Sequence, residues 1–269
     1  MSNGVTSPFR VGGVLGRGFR ILFRNFHIFG LVALIVLMPY VLVLSTISEL
    51  FTANFSSTSV VILASVIVLL PILLAYLATA AVAHGAFEAL RGRRPGIARC
   101  LLHGFSQSVP VFGVAIVTVL ALMLSLVPSV LAAAYLKGGF AVLMFLALLF
   151  PLFLVITVLW VAVPVVVIER RGILHGISRS IALTKGNRWR VFGIIVILWL
   201  INWVTNLVGG LLLLPFTLAG GGSVAGLIVT GVLVSIYLAL NAVMSAVGYH
   251  DLRVAKEGFS IDDIAAVFD

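Results

Sequence analysis

Apolar residues fill this chain in six blocks, each long enough to cross a bilayer and each closed by charged or glycine-rich punctuation. A hydrocarbon core of roughly 30 Å takes about 20 apolar residues in a helix, because lipid leaves every backbone donor and acceptor to be satisfied within the segment. The blocks run from His27 to Ile47, Val60 to Ala86, Val109 to Tyr135, Phe140 to Ile168, Val191 to Leu218 and Val224 to Tyr249. The first follows a long basic segment and has no prompt small-residue cleavage site, so it is expected to stay as a span and not to leave as a signal peptide. The pattern predicts an all-α membrane protein: a single six-span membrane domain over 1–269, with 259–269 as a short cytoplasmic tail.

Ahead of each odd block the period changes to that of a short two-faced helix. In the first copy Arg10, Arg17, Arg20 and Arg24 share one face, and Leu15, Phe19, Leu22, Phe23 and Phe26 share the other. A basic face opposite an aliphatic and aromatic face is the pattern of a helix in the headgroup plane. The second copy sets Ile97, Leu101 and Phe105 against Arg99 and His103; the third sets Ile173, Ile177 and Ile181 against His175 and Arg179. Lys185-Gly186-Asn187 should stop that last helix, with Gly as the left-handed cap.

A tetrapeptide also recurs at the start of each odd block: Ile28-Phe29-Gly30-Leu31, Val111-Phe112-Gly113-Val114 and Val191-Phe192-Gly193-Ile194. An acid closes each even block, namely Glu88, Glu169 and Asp251. These recurrences predict three parallel helical-hairpin repeats, at about 9–90, 96–171 and 172–258, each preceded by a cytoplasmic interfacial amphipathic helix.

Composition excludes a soluble fold: 62% of the 269 residues are apolar and 9% are charged, with a mean hydropathy of +1.27. A net charge of +9 could suit nucleic acid, an anionic lipid surface or membrane topology, and position decides among them. Cations occupy alternate gaps, leaving only Lys137 for the opposite face, which is the positive-inside pattern. Both termini are therefore expected in the cytoplasm, and no nucleic-acid partner is. Lys137-Gly138-Gly139 and Ala219 to Ser223 should form the outer turns, and Asn54-Phe55-Ser56 matches a glycosylation sequon by chance.

The candidate lipid or partner surface is Arg10, Arg17, Arg20, Arg24, Arg91, Arg93, Arg94, Arg99, Arg170, Arg171, Arg179, Lys185, Arg188 and Arg190. Each acid ends an inward-running helix, where its charge opposes the helix dipole and calls for a cation. The nearest candidates along the chain are Arg91, Arg170 or Arg171, and Arg253, so Glu88, Glu169, Asp251 and Arg253 form a candidate cytoplasmic ion-pair ring. It could gate a central path or form a docking surface; the preferred reading is that it pins interfacial helices to spans.

No catalytic, metal or cofactor constellation is visible, so neither cofactor nor enzyme activity is expected. Cys100 has no thiol partner, and His84 with Glu88 is one pair where a metal needs three or four ligands. The histidines His27, His84, His103, His175 and His250 all fall near the basic end. Within the bilayer Asn202, Asn206 and Asn241 are the candidate polar groups, read as glue between helices in preference to a pathway. Pro39, Pro71, Pro128, Pro151, Pro164 and Pro215 should kink their helices.

Two stretches carry a family resemblance. Val163-Pro164 through Glu169-Arg170-Arg171-Gly172 to Ser178-Arg179-Ser180 and Leu183-Thr184-Lys185-Gly186-Asn187-Arg188-Trp189 is similar to the glycerophosphoryl diester phosphodiesterase membrane domain family, as is Tyr249-His250-Asp251-Leu252-Arg253 with Lys256-Glu257-Gly258. In the members that give the family its name, a soluble phosphodiesterase domain follows the membrane domain and does the chemistry. This chain ends at Asp269, so the resemblance implies a stand-alone membrane domain of the bacterial inner membrane with no catalytic residue to carry over. The function expected is a non-enzymatic one, engaging anionic membrane lipid, a membrane protein partner or a second copy through the basic collar. The alternative is a small permease with a path along the axis of the three hairpins.

Overall fold

The computed structural model describes residues 9–50, 57–135, 150–218 and 223–258. The outer turn at Lys137, most of that at Ala219 to Ser223, the sequon at Asn54 and the tail from 259 lie outside them. Among the described residues the chain is all-helical: α1 (Val11–Arg24), α2 (Phe26–Leu50), α3 (Ser57–Leu90), α4 (Ile97–Ser106), α5 (Ser108–Tyr135), α6 (150–159), α7 (Ala162–Glu169), α8 (Ile173–Thr184), α9 (Arg188–Leu218) and α10 (Ser223–Glu257).

Five helical segments are long and apolar enough to cross a membrane: Leu69–Leu90, Ser108–Pro128, Phe150–Glu169, Arg188–Pro215 and Ile228–Glu257. Phe26–Tyr40 makes a sixth when joined to Val11–Arg24, from which it bends by 83°. Pro39, Pro71, Pro128 and Pro215 sit within continuous helices. At Pro164 the helix is instead interrupted, at Trp160 and Val161. Proline lacks the N–H that residue 160 would accept, and its ring crowds the preceding turn. The Ser180 hydroxyl of α8 donates to the Val158 carbonyl beside this break.

The helices that end in acids form the centre. In the spans of α3, α6–α7 and α10, 44% of the most apolar stretch is buried in the bundle, against 22% for α5 and 17% for α9. Spans gain little from hiding apolar surface from lipid that is equally apolar, so their association rests on close packing, which small residues permit. Accordingly Ala81, Ala83 and Ala86 of α3 and Ala239, Ala242 and Ala246 of α10 are buried together in one cluster.

The short helices dock on the lower ends of these central helices: α1 on α10 and α9, α4 on α3 and α2, α8 on α7 and α5. Gly104 shows how closely. A Cβ there would stand 2.7 Å from the Cβ of Ala81 and 2.9 Å from its Cα, so only glycine allows α4 to lie on α3 at this distance. Gly186 closes the turn after α8 with a φ of +87°, as its position in Lys185-Gly186-Asn187 predicts.

The apolar faces of the short helices meet protein more than expected. Val14, Gly18 and Leu22 of α1 are buried, and Leu15 and Phe19 pack against the same cluster. Phe23 and Phe26 alone of its predicted apolar face remain exposed. Helical periodicity reports that a face is apolar; whether lipid or a neighbouring helix covers it is settled by packing.

Candidate functional site

The three acids lie at the same end of the bundle, each paired with an arginine from a docked short helix. Asp251, buried on α10, is bridged by Arg17 of α1. Glu88 on α3 lies 3.7 Å from the Nη1 of Arg99 on α4. Glu169 on α7 accepts from the Arg179 Nε of α8 at 3.1 Å. A histidine stands beside each: His250 Nδ1 is 3.3 Å from Asp251, His175 Nε2 is 2.9 Å from Glu169, and His84 Nε2 is 3.9 Å from Glu88. His84 also stacks on His103 of α4, with ring centroids 4.1 Å apart.

These partners correct the assignment by proximity along the chain. Arg253 is only two residues from Asp251, so it leaves a different side of the helix, and its Nε pairs with Glu257 one turn on, at 2.9 Å. Arg91 folds over the ring of Phe87 at 4.7 Å. Arg170 and Arg171 are exposed, Arg170 in the left-handed conformation that ends α7. The true partners arrive because α4 and α8 fold back along the helices they follow. A signal for them exists in the sequence: Arg17, Arg99 and Arg179 each stand eight residues before an amide, Asn25, Gln107 and Asn187, at the joint with the next long helix.

The Glu169 site is the most fully bonded. The Tyr249 hydroxyl of α10 donates to Glu169 Oε1 at 2.9 Å, and Arg179 reaches on to Glu257. Burial by itself disfavours the Arg179 charge, but its bonds to Glu257 and Glu169 more than offset that and hold its pKa above the ordinary arginine value. The network joins α7 and α8 to the end of α10. The Glu88 site is the least satisfied, since His84 Nε2 and Glu88 Oε2 are buried without a hydrogen-bond partner.

Elsewhere, Asn241 accepts from the indole N–H of Trp160 at 3.2 Å, tying α10 to the break before α7. Asn206 donates to the Asn202 carbonyl and side chain at 2.7 and 3.1 Å, and both line a pocket of about 220 Å³ between α9 and α10. Burial pushes the Cys100 thiol up to about 11, with Glu88 adding to the effect. Among the described residues no group of three or more His, Cys, Asp or Glu converges to hold a metal ion.

The remaining cations face outward. Arg10, Arg20, Arg24, Arg93, Arg94, Arg170, Arg171 and Lys185 are exposed and form no ion pair among the described residues. Arg190 is held by the Phe9 carbonyl at 3.2 Å and Asn187 at 3.1 Å, while the Nε of Arg188 is buried without a partner. Large apolar side chains are exposed on the same helices or just beyond them: Phe23 and Phe26, Leu102 and Phe105, Leu174, and Trp189.

The fold so described is that of an all-helical chain with five to six helices fit to cross a membrane. Comparison of the chain with protein-family models, with curated proteins and with solved structures finds no match.

Proposed function

We propose that this chain is a triplicated, six-span protein of a bacterial inner membrane, whose basic end faces the cytoplasm and engages anionic lipid without catalysing a reaction. The observation that carries the reading is the charge balance of that end. All four described carboxylates there, Glu88, Glu169, Asp251 and Glu257, are taken by arginines, and at least eight exposed cations form no ion pair among the described residues. Each basic residue near an anionic surface is worth on the order of 1 kcal/mol, and the exposed Phe, Leu and Trp beside them suit the headgroup boundary.

Burial supports the triplication. Counted from Asn25, Gln107 and Asn187, buried positions recur seven and three before, at Gly18 and Leu22, Cys100 and Gly104, Ser180 and Thr184. They recur four, seven and eleven after, at Phe29, Val32 and Val36, at Val111, Val114 and Thr118, and at Val191, Ile194 and Leu198. This register sets Phe29 against Val111 and Val191, one residue away from the tetrapeptide alignment, because burial follows the packed face and not the identity of the letters. The docking order is cyclic too: each short helix rests on the hairpin before its own, and α1 on the last.

Helix length gives the collar its depth. The 34 residues of α3 and 35 of α10 extend about 50 Å, beyond the roughly 40–45 Å of a bilayer with its headgroups. Their acid-bearing ends therefore project from the membrane with the short helices wrapped around them. Transport between the central helices is disfavoured by the side chains that join them, Trp160 with Asn241 and Tyr249 with Glu169 and Phe87.

The test is native mass spectrometry from mild detergent. Bound anionic phospholipid should survive extraction, and fall when Arg93, Arg94, Arg170 and Arg171 are changed to Gln; retention of neutral lipid alone would overturn the proposal.

A further inference from the structure

One groove stands apart from the acid sites. It opens between the first turns of α2 and the middle of α10, holds about 180 Å³, and is lined almost wholly by apolar atoms, with His27, Gly30 and Leu31 on one side and Val232, Ser235 and Ile236 on the other. Such a volume is below the roughly 300–1,000 Å³ of a drug-sized pocket, so it fits a narrow chain and not a bulky ring.

The reason for the groove is visible at the corresponding place between α6 and α9. His27 and Trp189 both stand two residues after the joint amide, and Gly30 and Phe192 five after it; Ser235 and Phe153 both stand sixteen before the closing acid. Between α6 and α9 the three aromatics fill the space, with Phe153 centred 4.9 Å from Trp189 and 4.5 Å from Phe192. Histidine, glycine and serine take those places between α2 and α10 and leave it open. The Ser235 hydroxyl donates to the Gly231 carbonyl at 2.6 Å, so it offers the groove no free donor.

Basic residues precede the mouth along the chain. His27 lies on its rim, Arg24 is three residues back at the end of α1, and Arg20 is one turn earlier on the same face, both exposed and in no ion pair among the described residues. From Leu31, an exposed apolar row of Ile35, Met38 and Leu42 continues along α2 away from the basic end.

We propose that the groove seats one acyl chain of an anionic phospholipid, with its phosphate held by Arg20, Arg24 and His27. The proposal rests on the anionic-lipid reading of the collar and adds one defined, saturable site to it.

The test titrates the full chain with phosphatidylglycerol and with phosphatidylethanolamine of the same acyl composition, read by native mass spectrometry. Gly30→Phe plugs the groove, and a Cβ at Gly30 meets nothing within 4 Å, so the fold should tolerate it; Gly193→Phe adds the same bulk at an equally open place. The wild type and Gly193→Phe should hold one phosphatidylglycerol more tightly than the rest. Gly30→Phe should weaken that one at least tenfold and leave the weaker ones unchanged, with Gly30→Leu intermediate. Arg20→Gln with Arg24→Gln should remove the preference for the anionic lipid at that site. Unchanged binding in Gly30→Phe, equal filling by phosphatidylethanolamine, or a plug that alters only oligomeric state would each overturn the groove while leaving the collar standing. A wild type with no preference for phosphatidylglycerol at any site would overturn both.

Discussion

Replacing Arg17 with Ala tests whether the first short helix is latched to the last span. Arg17 and Asp251 are separated by nearly the whole chain, and their bridge ties α1 to α10. The Asp251 side chain is 6% exposed and that of Arg17 49%, so the pair lies between two regimes. Exposed pairs contribute about 0–1 kcal/mol, whereas stripping the partner from a fully buried charge costs about 3–5 kcal/mol. Half of the arginine is screened by solvent, which places the loss at about 2 kcal/mol. For a chain of this size that is roughly a 4–8 °C fall in melting temperature. The assay is thermal unfolding of detergent-purified protein for Arg17→Ala, Asp251→Ala and the double variant. The double variant should lose less than the sum of the singles, because removing both partners leaves no buried charge uncompensated. The Arg253–Glu257 pair, with both members more than a third exposed, serves as the control and should contribute no more than about 0.5 kcal/mol. Additive losses at Arg17 and Asp251 would refute the latch.

Gly104→Val should destabilise by at least about 1–3 kcal/mol, because its Cβ already overlaps the Ala81 backbone; a chemical or thermal melt reads it, and Gly30→Ala is the neutral comparison. Cys100 should resist thiol reagents at pH 7.5. A thiol titrating at about 11 carries roughly 300-fold less thiolate there than one at about 8.5, so labelling should accelerate only toward pH 11 or on unfolding. Asn241→Leu should cost about 0.6–2 kcal/mol by removing the Trp160 bond and change the emission of that indole, measured as tryptophan fluorescence against Trp160→Phe. Purified protein in liposomes should pass no small solute, and a specific, saturable flux would revive the permease reading.

Much of this architecture is legible along the chain. The blocks of apolar residues locate α2, α3, α5 and α9 to within a few residues, since lipid solvation demands length and hydrophobicity of any span; the start of the Phe140 block lies outside the described residues, and α10 runs eight residues past Tyr249. Gly186 marks the end of α8, and the short helices appear where the period changes. Pro164 was expected to kink its helix, and it interrupts it.

What tertiary structure alone decided is who meets whom. Asp251 takes Arg17 and not Arg253, because an ion pair depends on which helix docks alongside and two residues on a helix point to different sides. The apolar faces of α1 and α4 cover protein as well as facing outward, a distinction to which periodicity is blind. The groove beside Gly30 is the third case. One missing side chain is a cavity only if the facing helix also lacks bulk there, and the packing of α2 on α10 brings Gly30 and Ser235 to the same place. The chain's own order dictates helices and the end that carries charge, which are local consequences of hydropathy; partners and cavities arise from the long-range contacts that docking creates.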